Sequence, residues 1–118
     1  MPVLRALVLW RAGKVKFPAF LRVAHYRWRL VRMNRADEDT AGYCDTEKHE
    51  IGVAKEGDLA SDDEEASALV HEWIHAVMHI HFPEIEDDEP ITLKLESIIM
   101  QALRDNKTTI RAILKALK

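Results

Sequence analysis

The sequence has little of several features that would define a protein class at once. Cys44 is its one cysteine, so no disulfide can form within the chain, and a reducing compartment is the simpler expectation. No apolar run approaches the roughly 20 residues that a membrane-spanning helix needs. The apolar stretch 3–10 is short, is bounded by Arg11 and lacks a signal-peptide cleavage site. We therefore expect a cytoplasmic protein without a membrane partner.

Acidic side chains are absent from the first part of the chain. Residues 1–35 hold nine Lys and Arg and no Asp or Glu, whereas the rest holds eight basic and twenty acidic residues. The net charge of −3 therefore conceals a strong asymmetry. Residues 1–35 could contact nucleic acid, although they contain no recognised nucleic-acid motif. Alternatively, the basic and acidic parts complement each other within one fold.

Two segments in the first half have the pattern of extended chain. Within residues 21–33, Tyr26, Trp28 and Leu30 alternate with arginines, which is the period of a strand with one polar face. Residues 43–54 form the second segment, in which apolar side chains alternate around a glycine. We predict that both segments are extended.

Helical periodicity follows. Residues 61–64 (Ser-Asp-Asp-Glu) fit a capping box with acidic charge at the positive end of the helix dipole. Apolar residues then recur at helical spacing until Pro83, which prevents continuation. We therefore predict a helix between Ser61 and Pro83.

Two further helices are predicted towards the C-terminus. One follows the capping candidate Asp88, has Pro90 in its first turn and runs to residue 104. The last covers about residues 108–117. Strands that precede helices in this way favour an α+β fold.

Residues 71–75 (His-Glu-Trp-Ile-His) within the first helix match the H-E-x-x-H motif. Positions i and i+4 of a helix share one face, so His71 and His75 can bind the same Zn²⁺. Glu72 would then lie beside a zinc-activated water and accept its proton. The motif predicts a zinc hydrolase with Glu72 as catalytic residue; the alternative is that both histidines are polar edge residues of a core helix.

A catalytic zinc needs a third protein ligand and an open position. Glu96 is our first choice, since it lies at the edge of the apolar stripe of the next helix. Glu89 lies two turns earlier on the same side but serves equally as first-turn dipole complement. His81 would complete a pattern that resembles the metzincin signature, except that a methionine replaces its glycine. His79 is a weaker candidate, because it lies about 12 Å from His71 along the helix axis and one zinc ion cannot bind both.

Cys44 and the serines are weaker candidates for chemistry. Cys44 has no partner cysteine, so a small, buried, apolar role is more typical of it than metal binding. Ser61 is predicted to cap a helix, and Ser97 neighbours no obvious base. Nothing in the sequence therefore supports a serine or cysteine nucleophile.

Several segments together resemble a known family. Residues 42–45, 50–53, 69–76 and 95–98 are similar to the corresponding segments of small zincin-like metallopeptidases found in phage and prophage genomes. These proteins are distantly similar to SprT-like and ImmA/IrrE-type proteins. The resemblance covers about residues 20–105, and H-E-x-x-H is its one specific motif.

The resemblance implies a short antiparallel sheet packed on the H-E-x-x-H helix, with one or two further C-terminal helices. The whole chain, 1–118, would form a single zincin-like metallopeptidase domain. Within it, residues 1–19 would be a basic arm, 20–105 the core and 106–118 a C-terminal helix. The resemblance also implies zinc ligation by the two motif histidines and a general-base role for the motif glutamate, whereas relatives vary at the position of Glu96.

We therefore expect a zinc-dependent, peptidase-like hydrolase that acts on an extended peptide or protein substrate. The main alternative is a catalytically inactive zinc-binding domain that acts through a protein or nucleic-acid partner. Ligation by four protein groups, for instance His71, His75, Glu96 and His81, would favour that alternative. A third hypothesis is a helical scaffold in which the H-E-x-x-H motif is coincidental.

Overall fold

The computed structural model describes residues 16–33, 41–54 and 62–117. In these ranges the strands precede the helices, which confirms the α+β class. The strands are β1 (Phe20–Val23), β2 (Tyr26–Met33), β3 (Gly42–Asp45) and β4 (Glu50–Ala54), and the helices are α1 (Asp62–His81), α2 (Glu89–Asp105) and α3 (Lys107–Ala116). None of the helices described is long and apolar enough to cross a membrane. Most of the predicted basic arm, and the capping candidate Ser61, lie outside the described residues.

The sheet is mixed, so the expectation of a purely antiparallel sheet is wrong. Its strand order is β1-β2-β4-β3, in which β1 pairs antiparallel with β2 and β3 pairs antiparallel with β4. The central pair, β2 and β4, is parallel, with Leu30 opposite Ile51. Each predicted extended segment folds into its own hairpin, and the two hairpins join through strands that run in the same direction.

The turns of both hairpins are built without glycine or proline. Ala24 and His49 adopt positive φ angles of 56° and 52°, a conformation that non-glycine residues seldom take. In the second turn, Oδ1 of Asp45 accepts hydrogen bonds from the backbone N–H groups of Glu47 and Lys48, at 3.1 and 3.0 Å. This side-chain bonding stabilises the turn locally. The two predicted strands are therefore interrupted where the sequence carries few turn residues.

Helix α1 packs across one face of the sheet. Trp28, Ile51 and Val53 are completely buried there, and they contact Ala68 and Ala76 of the helix. The small side chains on α1 allow the helix to approach the sheet closely. This packing fixes which face of α1, and therefore which motif residues, turn towards the strands.

A buried ion pair anchors the first turn of α1 to the sheet. Glu65 is completely buried, and its Oε1 pairs with the guanidinium of Arg32 on β2. Arg32 also donates to the backbone oxygen of Ala54 at 3.3 Å. The guanidinium offsets part of the cost of burying this carboxylate, whose second oxygen, Oε2, has no hydrogen-bond partner among the described residues.

Helix α2 returns antiparallel to α1. Near its C-terminal end, Arg104 donates to both carboxylate oxygens of Asp63 at 2.8 to 3.1 Å. At its other end Asp88 occupies the N-cap position, as predicted, but its side chain makes no capping hydrogen bond. Pro90 stands in the first turn, also as predicted. This arrangement brings the first two turns of α2 beside the motif on α1.

Candidate metal centre

Three ligand atoms converge between α1 and α2. The Nε2 atoms of His71 and His75 are 3.2 Å apart, and Oε1 of Glu89 lies 3.0 Å from the first and 3.1 Å from the second. The histidines share a face because they are separated by one helical turn. Glu89 reaches them because it is the first residue of α2. Among the described residues, these three form the group able to hold a metal ion.

The other nitrogen of each imidazole is held by a carboxylate. Nδ1 of His71 lies 2.8 Å from Oε1 of Glu96, and Nδ1 of His75 lies 3.1 Å from Oδ1 of Asp88. Ser67 in turn donates to Oε2 of Glu96 at 2.6 Å. A carboxylate is an acceptor, so each Nδ1 carries the proton in these contacts. The Nε2 lone pairs of both rings are then left to face Glu89.

This donor set fits a small divalent cation. Because both Nδ1 atoms are protonated, the Nε2 lone pairs of the two imidazoles and a carboxylate oxygen of Glu89 point at one another. Three hydrogen-bond acceptors at this distance repel each other unless a cation lies between them. A tetrahedral zinc ion with bonds of about 2.0–2.1 Å would hold its ligand atoms about 3.3 Å apart. The observed spacings of 3.0 to 3.2 Å are close to that value. Nitrogen and oxygen ligands of this kind are those of catalytic zinc sites.

The predicted third-ligand candidates take different positions. Glu89 faces both Nε2 atoms, whereas Glu96 contacts the opposite side of the His71 ring. His79 is exposed one turn beyond His75, and His81 is exposed at the end of α1. The loop that follows α1 is short, and it returns the first turn of α2, rather than its third, to the Nε2 atoms. The short length of the loop between α1 and α2 can be read from the sequence, and it is the feature that could have pointed to Glu89.

Glu72 lies on the sheet side of α1. Its side chain is buried, and it packs against Gly42 of β3: a methyl group on Gly42 would lie 3.2 Å from Oε2 of Glu72 and 2.8 Å from the backbone oxygen of Gly52. Glycine is therefore required at this close approach. The sequence pattern that includes Gly42 does not by itself predict this contact.

Burial raises the pKa of the Glu72 carboxyl. His71 and His75 lower this pKa when their rings are protonated and carry positive charge, and the carboxylates of Glu89 and Glu96 raise it again. A carboxylate with a raised pKa is a stronger base than an exposed glutamate. The Glu72 carboxylate is therefore suited to accept a proton.

A cleft of about 400 Å³ opens beside Glu72 and His75. Its remaining lining residues come from the β3 end, α1 and the loop after it: Cys44, Thr46, His79, Pro83, Ile85, Glu86 and Asp88. Desolvation raises the pKa of the Cys44 thiol to about 12, and the neighbouring Glu72 and Asp88 carboxylates act in the same direction. Cys44 is therefore a neutral thiol in the cleft wall, half-buried rather than fully buried.

Comparison with protein-family models, with curated proteins and with solved structures finds no match for this chain.

Proposed function

We propose that this protein is a zinc-dependent, peptidase-like hydrolase. The observation that carries the proposal is the convergence of three acceptor atoms, from His71, His75 and Glu89, at the spacing of a tetrahedral ion. Glu96 and Asp88 orient the two rings, in the way that carboxylates commonly orient metal-binding histidines. Three protein ligands leave one position for water or substrate.

When bound, the zinc ion would lower the pKa of a coordinated water and polarise the carbonyl group of a substrate. Glu72 supplies the base. It lines the cleft beside His75, and its carboxylate accepts a proton from the attacking water and later gives it to the leaving amine. Burial of Glu72 against the sheet keeps this carboxylate in one place during both transfers.

The proposed substrate is an extended peptide. β3 is an edge strand of the sheet, and Cys44 on this strand lines the cleft. A peptide that adds to the edge beside β3 would therefore pass the metal site. Its backbone would supply the scissile carbonyl, while the cleft would receive a side chain.

Peptide hydrolysis by the zinc-loaded full chain tests the proposal. We expect cleavage of members of a mixed library of quenched fluorescent peptides, and a rate at least about 100-fold lower for Glu72→Gln, which loses its base but keeps the metal ligands. His81→Gln is the matched control on the same helix and should leave both zinc content and rate unchanged. Zinc binding without cleavage of any library member would instead favour the catalytically inactive alternative.

A further inference from the structure

The outer face of the β1–β2 hairpin carries a cluster of arginines. The face that packs on α1 contains Leu21 and Trp28, which are opposite each other in the pairing of the two strands. Alternation along a strand places the neighbouring residues on the other face. Arg22, Arg27 and Arg29 lie there, and all three are exposed.

This arrangement places like charges together. Arg22 lies directly opposite Arg27 in the register, and Arg29 is the diagonal neighbour of Arg22. Like charges opposite each other destabilise an antiparallel pair. In the part of the chain that the structure describes, Arg29 approaches Glu50 only at 3.9 Å, and no ion pair is formed by Arg22 or Arg27. The cluster is therefore not explained by the stability of the hairpin.

Arg32 shows the contrast within the same strand. It points to the opposite face, where it pairs with the buried Glu65. Of the four arginines of β1 and β2, one is thus used inside the fold and three are presented to solvent. Such a local concentration of positive charge attracts a polyanion even though the chain as a whole is acidic.

An aromatic ring lies within the cluster. Phe20 is opposite Arg29, its side chain is 42% exposed, and the guanidinium of Arg27 lies 3.9 Å from the centre of its ring. An exposed ring beside arginines on a sheet face is what unpaired bases need, because bases stack on aromatic and guanidinium planes while other arginines hold the phosphates. A purely electrostatic partner, such as an acidic peptide, would make no use of the ring.

We propose that this face binds single-stranded nucleic acid. Arg22 and Arg29 contact phosphates, and Phe20 with Arg27 forms the stacking platform. The face lies on the side of the sheet away from α1 and its metal site. Binding is therefore independent of the proposed hydrolase activity.

Fluorescence anisotropy with labelled 12-mers of oligothymidylate and oligouridylate, at 50 to 200 mM NaCl, tests the proposal on the full chain. For Arg22→Gln/Arg29→Gln we expect the slope of log affinity against log salt to become shallower by about 1.4, because each phosphate contact to a single strand contributes about 0.7. Phe20→Leu should weaken binding about 5-fold or more with the slope unchanged. Lys107→Gln/Arg111→Gln on α3 removes the same charge elsewhere and should bind like the unsubstituted chain.

Three results would overturn this proposal. The first is absence of binding at 50 mM NaCl by the unsubstituted chain, and the second is equal weakening by the control on α3. The third is duplex DNA or polyglutamate binding as tightly as the single strands, since these partners cannot use Phe20. Thermal melting of each variant verifies folding; because removal of like charges relieves repulsion, Arg22→Gln/Arg29→Gln should melt no lower than the unsubstituted chain.

Discussion

Glu96 lies 2.8 Å from Nδ1 of His71, on the side of the ring opposite to Glu89. This single contact fixes the tautomer of His71, because a carboxylate can only accept the ring proton. Nε2 of His71 is then free to bind a cation. Ser67 holds the second oxygen of Glu96 at 2.6 Å, so the ring orientation is set through two successive hydrogen bonds.

Zinc affinity should therefore respond differently to the two glutamates. Glu89→Ala removes a proposed ligand and should weaken zinc binding more than any change at Glu96. Glu96→Gln keeps the shape of the side chain but removes the negative charge that faces the Nδ1 proton of His71. We expect about a 10- to 100-fold weaker zinc affinity. Competition with a fluorescent zinc chelator measures both. If Glu96→Ala abolishes binding while Glu89→Ala barely changes it, Glu96 is the ligand and Glu89 is not.

Gly42→Ala should separate catalysis from metal binding. The added methyl group would lie within 2.8 Å of the Gly52 backbone oxygen and close to Glu72, so β3 or the Glu72 side chain must shift. We expect normal zinc stoichiometry but at least about a tenfold loss of peptidase rate, since displacement of a catalytic group by a fraction of an ångström is costly. An unchanged rate would show that Glu72 tolerates displacement and would argue against its role as base.

The helices were predicted more closely than the sheet. Apolar spacing with Pro83 and Pro90 as boundaries fixed α1 and α2 to within a residue or two, because these signals are local. The hairpin turns were missed because Ala24 and His49 take left-handed conformations without the usual glycine. The Asp45 side chain was the available signal for the second turn, since aspartate before a short polar stretch is typical of such turns.

Within the site, the motif gave the positions on α1 and could not give those on α2. His71, Glu72 and His75 follow from helical geometry alone. The placement of Glu89 and Glu96 depends on how the loop returns α2 to α1, a property of packing that the spacing of apolar residues leaves open. Asp88 was expected to cap α2, but its carboxylate contacts His75 instead.

Cys44 gives a prediction about pH. Its pKa is raised from the ordinary 9.0 to about 12 in the folded chain, so folding favours the protonated thiol. This contribution to the free energy of unfolding is complete below pH 9 and is lost as the pH rises towards 12. Urea unfolding of the unsubstituted chain and of Cys44→Ala between pH 8 and 11 should therefore show a steeper loss of stability in the unsubstituted chain. Parallel curves would contradict the raised pKa.

Alkylation of Cys44 by iodoacetamide should also be slow in the folded state. At pH 8 its thiolate fraction would be about a thousandfold smaller than that of a thiol with the ordinary pKa, because the pKa is raised from 9.0 to about 12. The reaction should accelerate on addition of denaturant, and mass spectrometry follows it directly. Modification of the folded chain as fast as glutathione would show that the thiol is accessible and unperturbed.

The buried pair of Arg32 and Glu65 should be strongly coupled. Arg32→Met leaves the completely buried Glu65 without its partner and should lower the free energy of unfolding by about 3 kcal/mol or more. The double variant Arg32→Met/Glu65→Leu removes both charges and should recover much of this loss. A double-mutant cycle from urea unfolding measures the coupling, and additive effects of the two substitutions would contradict it.

The central claim is that neighbouring imidazoles on α1 and a carboxylate of α2 bind one zinc ion. Calorimetric titration of the chelator-stripped full chain with Zn²⁺ tests this claim most directly. We predict one ion per chain with a submicromolar Kd, and no such binding by His71→Gln/His75→Gln. Absence of binding by the unsubstituted chain, or the same stoichiometry and affinity in the double variant, would contradict the account.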